Sequence, residues 1–72
     1  MIKETIKLNN LKEVLQAKGI KASFIAQQLN CNPNSVYNWI HQRSQPSLST
    51  LLSVSEIIGC KLKDLINDPT EN

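Results

Sequence analysis

Lys21-Ala22-Ser23-Phe24-Ile25-Ala26-Gln27-Gln28-Leu29, then Asn30-Cys31-Asn32, then Pro33-Asn34-Ser35-Val36-Tyr37-Asn38-Trp39-Ile40: this stretch decides the fold. It reads as two short helices joined by a tight corner. Ile25, Ala26 and Leu29 stand at i, i+1 and i+4, one apolar stripe on a first helix. Asn30 follows the last periodic residue and tolerates the left-handed conformation that ends a helix. Asn32 offers a side-chain oxygen to cap the next helix. Pro33 at its first position loses nothing, because that N–H has no intrahelical partner in any case. In the second helix Val36 and Ile40 share one face, so Asn34, Tyr37 and Asn38 point elsewhere, with groups that donate and accept. By periodicity alone they could equally be solvated residues of a surface helix.

Working outward, Asn9 or Asn10 is placed to cap an earlier helix in which Leu11, Val14, Leu15 and Lys18 follow helical spacing and Gly19 is the stop. Glu13 near its start and Lys18 at its end suit the helix dipole. Arg43-Ser44-Gln45-Pro46 is a polar loop. Ser47 opens a fourth helix expected to bury Leu48, Leu51, Leu52, Val54 and Ile58 and to stop at Gly59. Lys61 to Ile66 form a last short helix expected to bury Leu62, Leu65 and Ile66, and Asp68-Pro69 ends the ordered chain. Met1 to Leu8 fit an extended arm, a short edge strand or an early extension of the first helix. The expected division is an N-terminal arm over 1–8, a helical domain over 9–66 and a flexible tail over 67–72. Phe24 and Trp39 are the large rings expected to anchor an otherwise aliphatic core.

Gly19 to Leu48 resembles, without a gap, the helix-turn-helix of the phage repressor and Cro family, the XRE-type regulators. The similarity rests on the small Ala26 where the two helices would cross, Leu29 closing the first, the apolar Cys31 in the corner, Val36 and Trp39 in the second, and Pro46-Ser47-Leu48 opening the next. Leu51, Leu52, Ile58-Gly59-Cys60 and Leu62 to Ile66 resemble the family's closing helices, so the match runs over residues 8 to 66. The resemblance implies an all-α fold, a compact five-helix bundle of the lambda-repressor-like DNA-binding type. It implies sequence-specific binding of double-stranded DNA by a small transcriptional regulator, a repressor acting as a dimer on a (pseudo)palindromic operator. An antitoxin or protein-interaction adaptor using the same bundle is the alternative, with Tyr37 and Trp39 as anchors.

Carried over by position, Pro33, Asn34, Tyr37 and Asn38 are the residues presented to base edges in the major groove. Asparagine suits adenine, whose N7 and N6 its amide can engage together, and Pro33 or the Tyr37 ring can pack on a thymine methyl. Phosphate contacts are expected around the same helix: Lys21 and Ser23 at the start of the bracing helix, Asn32 and Ser35 at the start of the reading helix, and Arg43 with Gln42 and Ser44 after it. Helix N-termini present free N–H groups to anions, and Lys or Arg adds counterion release. His41 is read as a neighbouring surface residue. Three positions depart from the family: Ala22 stands where a glutamine is frequent, Ile40 where a glutamate is common, and Gln42 where a glycine is usual.

Size and charge bound the remaining possibilities. The chain has 72 residues, enough for one domain with a small core. Its formal net charge is only +2, yet no Asp or Glu occurs between Glu13 and Glu56, an interval that holds Lys18, Lys21, His41 and Arg43. The two cysteines, Cys31 and Cys60, are far apart among apolar neighbours, so neither a disulfide framework nor a metal site is expected. With no signal peptide and no apolar run of the roughly 18 residues that span a bilayer, the expected location is the cytoplasm. One histidine, no glycine-rich phosphate loop and no converging acid pair argue against an enzyme, and neither a cofactor nor a small-molecule ligand is expected. The implied homodimer would form through Leu62, Leu65 and Ile66, a rim near Ile57 and Ile58, or the N-terminal arm. Leu62 and Leu65 have a competing role in closing the monomer core.

Overall fold

The computed structural model describes residues 6–70. They form five helices, α1 Leu11–Lys18, α2 Ala22–Leu29, α3 Pro33–Ile40, α4 Leu48–Ile58 and α5 Leu62–Leu65, and no strand longer than an isolated bridge. Helix α2 packs on α3 and α4, α1 on α3 and α5, and α4 on α5. The core where they meet holds Leu11, Leu15, Ile25, Ala26, Val36, Leu51, Val54, Ile58 and Leu65. Ala26, 1% exposed, is the small residue that lets α2 lie close against its neighbours. Truncating any of the buried aliphatic chains costs about 2–5 kcal/mol, a large part of the stability of so small a domain.

The helix ends follow from local chemistry. α1 closes on Gly19 at φ 68°, where the Gly19 N–H donates to the Gln16 carbonyl and the Ile20 N–H to the Leu15 carbonyl. α2 closes the same way on Asn30 at φ 56°, with Asn30 bonded to Gln27 and Cys31 to Ala26. Both are Schellman turns, in which a left-handed residue lets its own N–H and that of the next residue satisfy carbonyls of the last turn. At the start of α3 the Asn32 side chain accepts from the Asn34 N–H at 2.8 Å, and Pro33 takes the first helical position. Ser47 caps α4 by accepting from the Thr50 N–H at 3.1 Å. The Asp64 carboxylate accepts from the Lys61 N–H at 3.1 Å across the first turn of α5.

Residues 6–8 are not helical, which removes the helical extension for this part of the arm. Asn9 instead forms an antiparallel bridge with Ile66. The Asn67 N–H donates to the Leu8 carbonyl at 2.9 Å, the Asn67 side chain to the Lys7 carbonyl at 2.7 Å, and the Asn10 N–H to the Leu65 carbonyl at 2.9 Å. Residues 7–10 and 65–67 are thus stitched together. The part of the arm from Met1 to Thr5 lies outside the described residues.

Several burial expectations are corrected. Phe24 is 44% exposed and does not anchor the core, because it stands on the side of α2 opposite the Ile25–Ala26 stripe. Trp39 is half-buried and packs against the core from its edge. In α4 the buried face is Leu51, Val54, Ser55 and Ile58, while Leu48 and Leu52 are exposed. Leu52 and Val54, two positions apart, point to nearly opposite sides of a helix, so they cannot share one buried face, and spacing alone does not show which is left outside. The buried Ser55 hydroxyl is satisfied by the Leu52 carbonyl at 2.6 Å. α5 ends at Leu65, so Ile66 leaves the helix for the bridge with Asn9 and is exposed.

Candidate nucleic-acid interface

Helix α3 buries Val36 completely and turns its other side outward. Asn32, Pro33, Asn34 and Tyr37 are exposed; Ser35 and Asn38 are half-buried. The Asn32 side chain is engaged in capping, but among the described residues the side-chain amides of Asn34 and Asn38 have no hydrogen-bond partner. They stand one turn apart, free to donate and accept together.

The start of α2 is prepared differently. The first N–H groups of α2, at Ala22 and Ser23, have no intrahelical acceptor, and Lys21, at the N-cap in extended geometry, gives no side-chain cap in its place. Lys21 and the Ser23 hydroxyl stand beside these groups. Lys21, Ser23 and Tyr37 line one open groove between α1, α2 and α3, together with the buried or half-buried Leu15, Ile20, Ala22 and Ile40 and the exposed Lys12, Gln16 and His41. The fold therefore brings an expected base reader, Tyr37, to the same groove as two expected phosphate contacts. Lys12 and His41, which are outside the expected set, line the same groove. Lys12 and Gln16 share an α1 face at i, i+4, a signal visible in the sequence once α1 is known to flank the reading helix. The acid next to this groove, Glu13, is paired with Lys7 at 2.7 Å. That hydrogen bond and charge hold its carboxyl below the usual carboxylate range.

Beyond α3, Gln42 differs from its neighbours. The Gln42 N–H donates to the Trp39 carbonyl at 3.1 Å and the Arg43 N–H to the Asn38 carbonyl at 2.8 Å, around a Gln42 φ of 62°. This is a third Schellman turn, and its left-handed residue is a glutamine. The side chain points back into the protein. Gln42 Nε2 donates to the Asn9 carbonyl at 3.1 Å and to Asn9 Oδ1 at 3.2 Å, and Gln42 Oε1 accepts from the Leu8 N–H at 3.0 Å and from Gln45 Nε2 at 3.1 Å. With its amide filled in this way Gln42 has nothing left for a phosphate, unlike the exposed Arg43 and Ser44 that follow. The family's usual glycine is thereby explained: the position needs a positive φ, which glycine takes without strain.

Elsewhere the described residues hold two free cysteines, Cys31 and Cys60, and burial pushes the Cys60 thiol upward. No described helix is long and apolar enough to cross a membrane.

No curated protein matches the chain significantly. Among solved structures, a candidate DNA-binding protein from Bacteroides fragilis superposes with a TM-score of 0.82 at 35% sequence identity, over 83% of this chain and 97% of that one. Residues 10–71 match the Cro/C1-type HTH DNA-binding domain, so α2 and α3 with the corner between them are a helix-turn-helix and the chain belongs to the Cro/C1-type family.

Proposed function

We propose that the protein is a transcriptional regulator that binds double-stranded DNA sequence-specifically, a repressor acting as a dimer. The observation that carries this reading is the polar face of α3. Two asparagine amides, Asn34 and Asn38, without a hydrogen-bond partner among the described residues, lie along the chain between the uncapped start of α2 with Lys21 and Ser23 and the exposed Arg43 and Ser44. That order, phosphate group, base reader, phosphate group, is what a helix in the major groove requires, since backbone contacts set its register and base edges supply the sequence information. Pro33, Asn34, Tyr37 and Asn38 are assigned to bases. Lys21, Ser23, Asn32, Ser35, Arg43 and Ser44 are assigned to phosphates, and Gln42 is moved to a supporting role.

One reading helix makes few base contacts, and a second copy doubles them. Ile58 and Leu65 are buried in the core and cannot form the dimer contact; the exposed Ile66, the half-buried Leu62 and Ile57, and the N-terminal arm with its exposed Ile6 and Leu8 remain as candidates. Repression follows from steric exclusion at the occupied site. Selecting bound duplexes from a random pool and footprinting the product tests the whole reading. The expected result is a symmetric site with half-site centres roughly 34–36 Å apart. A short asymmetric site saturated by one copy would remove the dimer, and no enrichment at all would remove DNA reading.

The antitoxin or adaptor reading keeps one supporting observation, the exposed rings of Tyr37 and Phe24, which are 49% and 44% accessible. Salt separates the two. Binding through several phosphates weakens steeply as salt rises, whereas an apolar protein contact does not.

A further inference from the structure

We propose that Gln42 is a positioning residue for the interface: gripped by Leu8 and Asn9, it holds the left-handed turn that sets Arg43 and Ser44 against the DNA backbone, so that the joined residues 7–9 and 67 control the order of this loop. The mechanical part stands on the contacts alone; the phosphate part rests on the DNA reading above. Gly19, Gly59 and Asn30 occupy the other left-handed positions at helix ends, residue types that adopt them readily. Gln42 does not share that ease, and a side chain with a Cβ at φ 62° needs compensating contacts. Its amide supplies them, since Nε2 gives both its hydrogens to Asn9 and Oε1 accepts from Leu8 and Gln45. Asn9 is 1% exposed and is itself tied to the Trp39 carbonyl at the end of α3. On the far side of the arm Asn67 holds the Lys7 and Leu8 carbonyls. Hydrogen bonds therefore link Asn67 through Leu8 to Gln42, and the next residue along the backbone, Arg43, closes the turn by donating its N–H to the Asn38 carbonyl.

The two substitutions Gln42→Ala and Gln42→Gly, made in the full chain, separate the parts of this device. Both remove the amide, but only glycine also removes the backbone strain. Amide hydrogen exchange is read at Arg43, Leu8 and Asn67, with core amides as the reference for global stability. In Gln42→Ala all three should exchange about tenfold faster or more relative to the core, the effect of losing one net hydrogen bond. In Gln42→Gly, Arg43 should recover its protection while Leu8 and Asn67 stay fast. An Arg43 amide unmoved in Gln42→Ala overturns the coupling, as does full protection of Leu8 and Asn67 in Gln42→Gly. Duplex binding is measured alongside. Gln42→Ala should weaken selected and random DNA alike, by about tenfold, and Gln42→Gly should regain part of that loss. If the unmodified protein binds no duplex, the phosphate role is overturned with the DNA reading, while the exchange result still decides the coupling.

Discussion

Replacing Asn9 by alanine should cost far more than a polar residue next to a chain end ordinarily would. Asn9 is 1% exposed, and its side chain makes four hydrogen bonds. Nδ2 donates to the Trp39 carbonyl at 3.0 Å and to Gln45 Oε1 at 2.9 Å, and Oδ1 accepts from the Leu11 N–H at 3.0 Å and from Gln42 Nε2 at 3.2 Å. The Gln45 end lies at the surface and can turn to water, so that bond counts at the low end of about 0.5–1.5 kcal/mol. The Trp39 carbonyl keeps the Gln42 N–H as a partner. Leu11 is 1% exposed and its N–H, in the first turn of α1, has no intrahelical acceptor; left unmade, a buried bond of this kind costs about 1–3 kcal/mol. Gln42 Nε2 keeps the Asn9 carbonyl, so its lost bond also counts at the low end, and the sum is roughly 2–4 kcal/mol, against a total of about 4–11 kcal/mol for a domain of this length. Urea unfolding followed by circular dichroism measures it, as a lower midpoint with an unchanged m-value. Asn9→Asp adds a second handle. It keeps an acceptor for Leu11 but turns a carboxylate oxygen toward the Trp39 carbonyl. Burial raises the folded pKa of the introduced acid, so this variant should be least stable at neutral pH and recover as pH falls through that raised value. A loss below about 0.5 kcal/mol in Asn9→Ala would refute the account, because it would mean that water replaces the network without cost.

Asn34→Ala should lower affinity for the selected DNA site by roughly 1–3 kcal/mol and leave binding to random DNA nearly intact; equal losses on both would reassign Asn34 to the backbone. Lys21→Ala and Arg43→Ala should each weaken binding to every sequence and reduce the magnitude of the log–log salt slope by about one, and slopes that stay put would take both residues out of the interface. The Lys7–Glu13 pair lowers the folded pKa of Glu13, so its contribution is complete above the ordinary glutamate pKa and disappears as pH falls through the folded value. Both partners are about half exposed, which limits the effect to below roughly 1 kcal/mol. Lys7→Ala should therefore reduce stability slightly at neutral pH and not at all in strong acid; a loss that persists there would show packing, not charge, as its origin.

The features legible in the amino-acid sequence share a short range. Asn30 and Asn32 mark the corner because a left-handed stop and a side-chain cap act within a few residues, and Gly19, Gly59 and Ser47 mark other ends for the same reason. The Ile25–Ala26 and Val36 faces follow from helical period alone. Phe24, Leu48 and Leu52 depart from expectation because apolar character says that a residue gains by burial without saying that a neighbour is present to bury it.

Local sequence set the five helices, the ends marked by Gly19, Asn30, Asn32, Ser47 and Gly59, and the polar face of α3, each a consequence of hydrogen bonding and periodicity within a turn or two. Packing of the helices decided that Gln42 looks inward while Arg43 and Ser44 look outward, that Tyr37 shares a groove with Lys21, and that Lys7 and Leu8 are joined to Asn67. Those outcomes depend on partners such as Asn9 with Gln42 or Lys7 with Asn67, separated by 33 and 60 positions. No local propensity encodes such a pair, because the geometry that makes it exists only once the helices have packed.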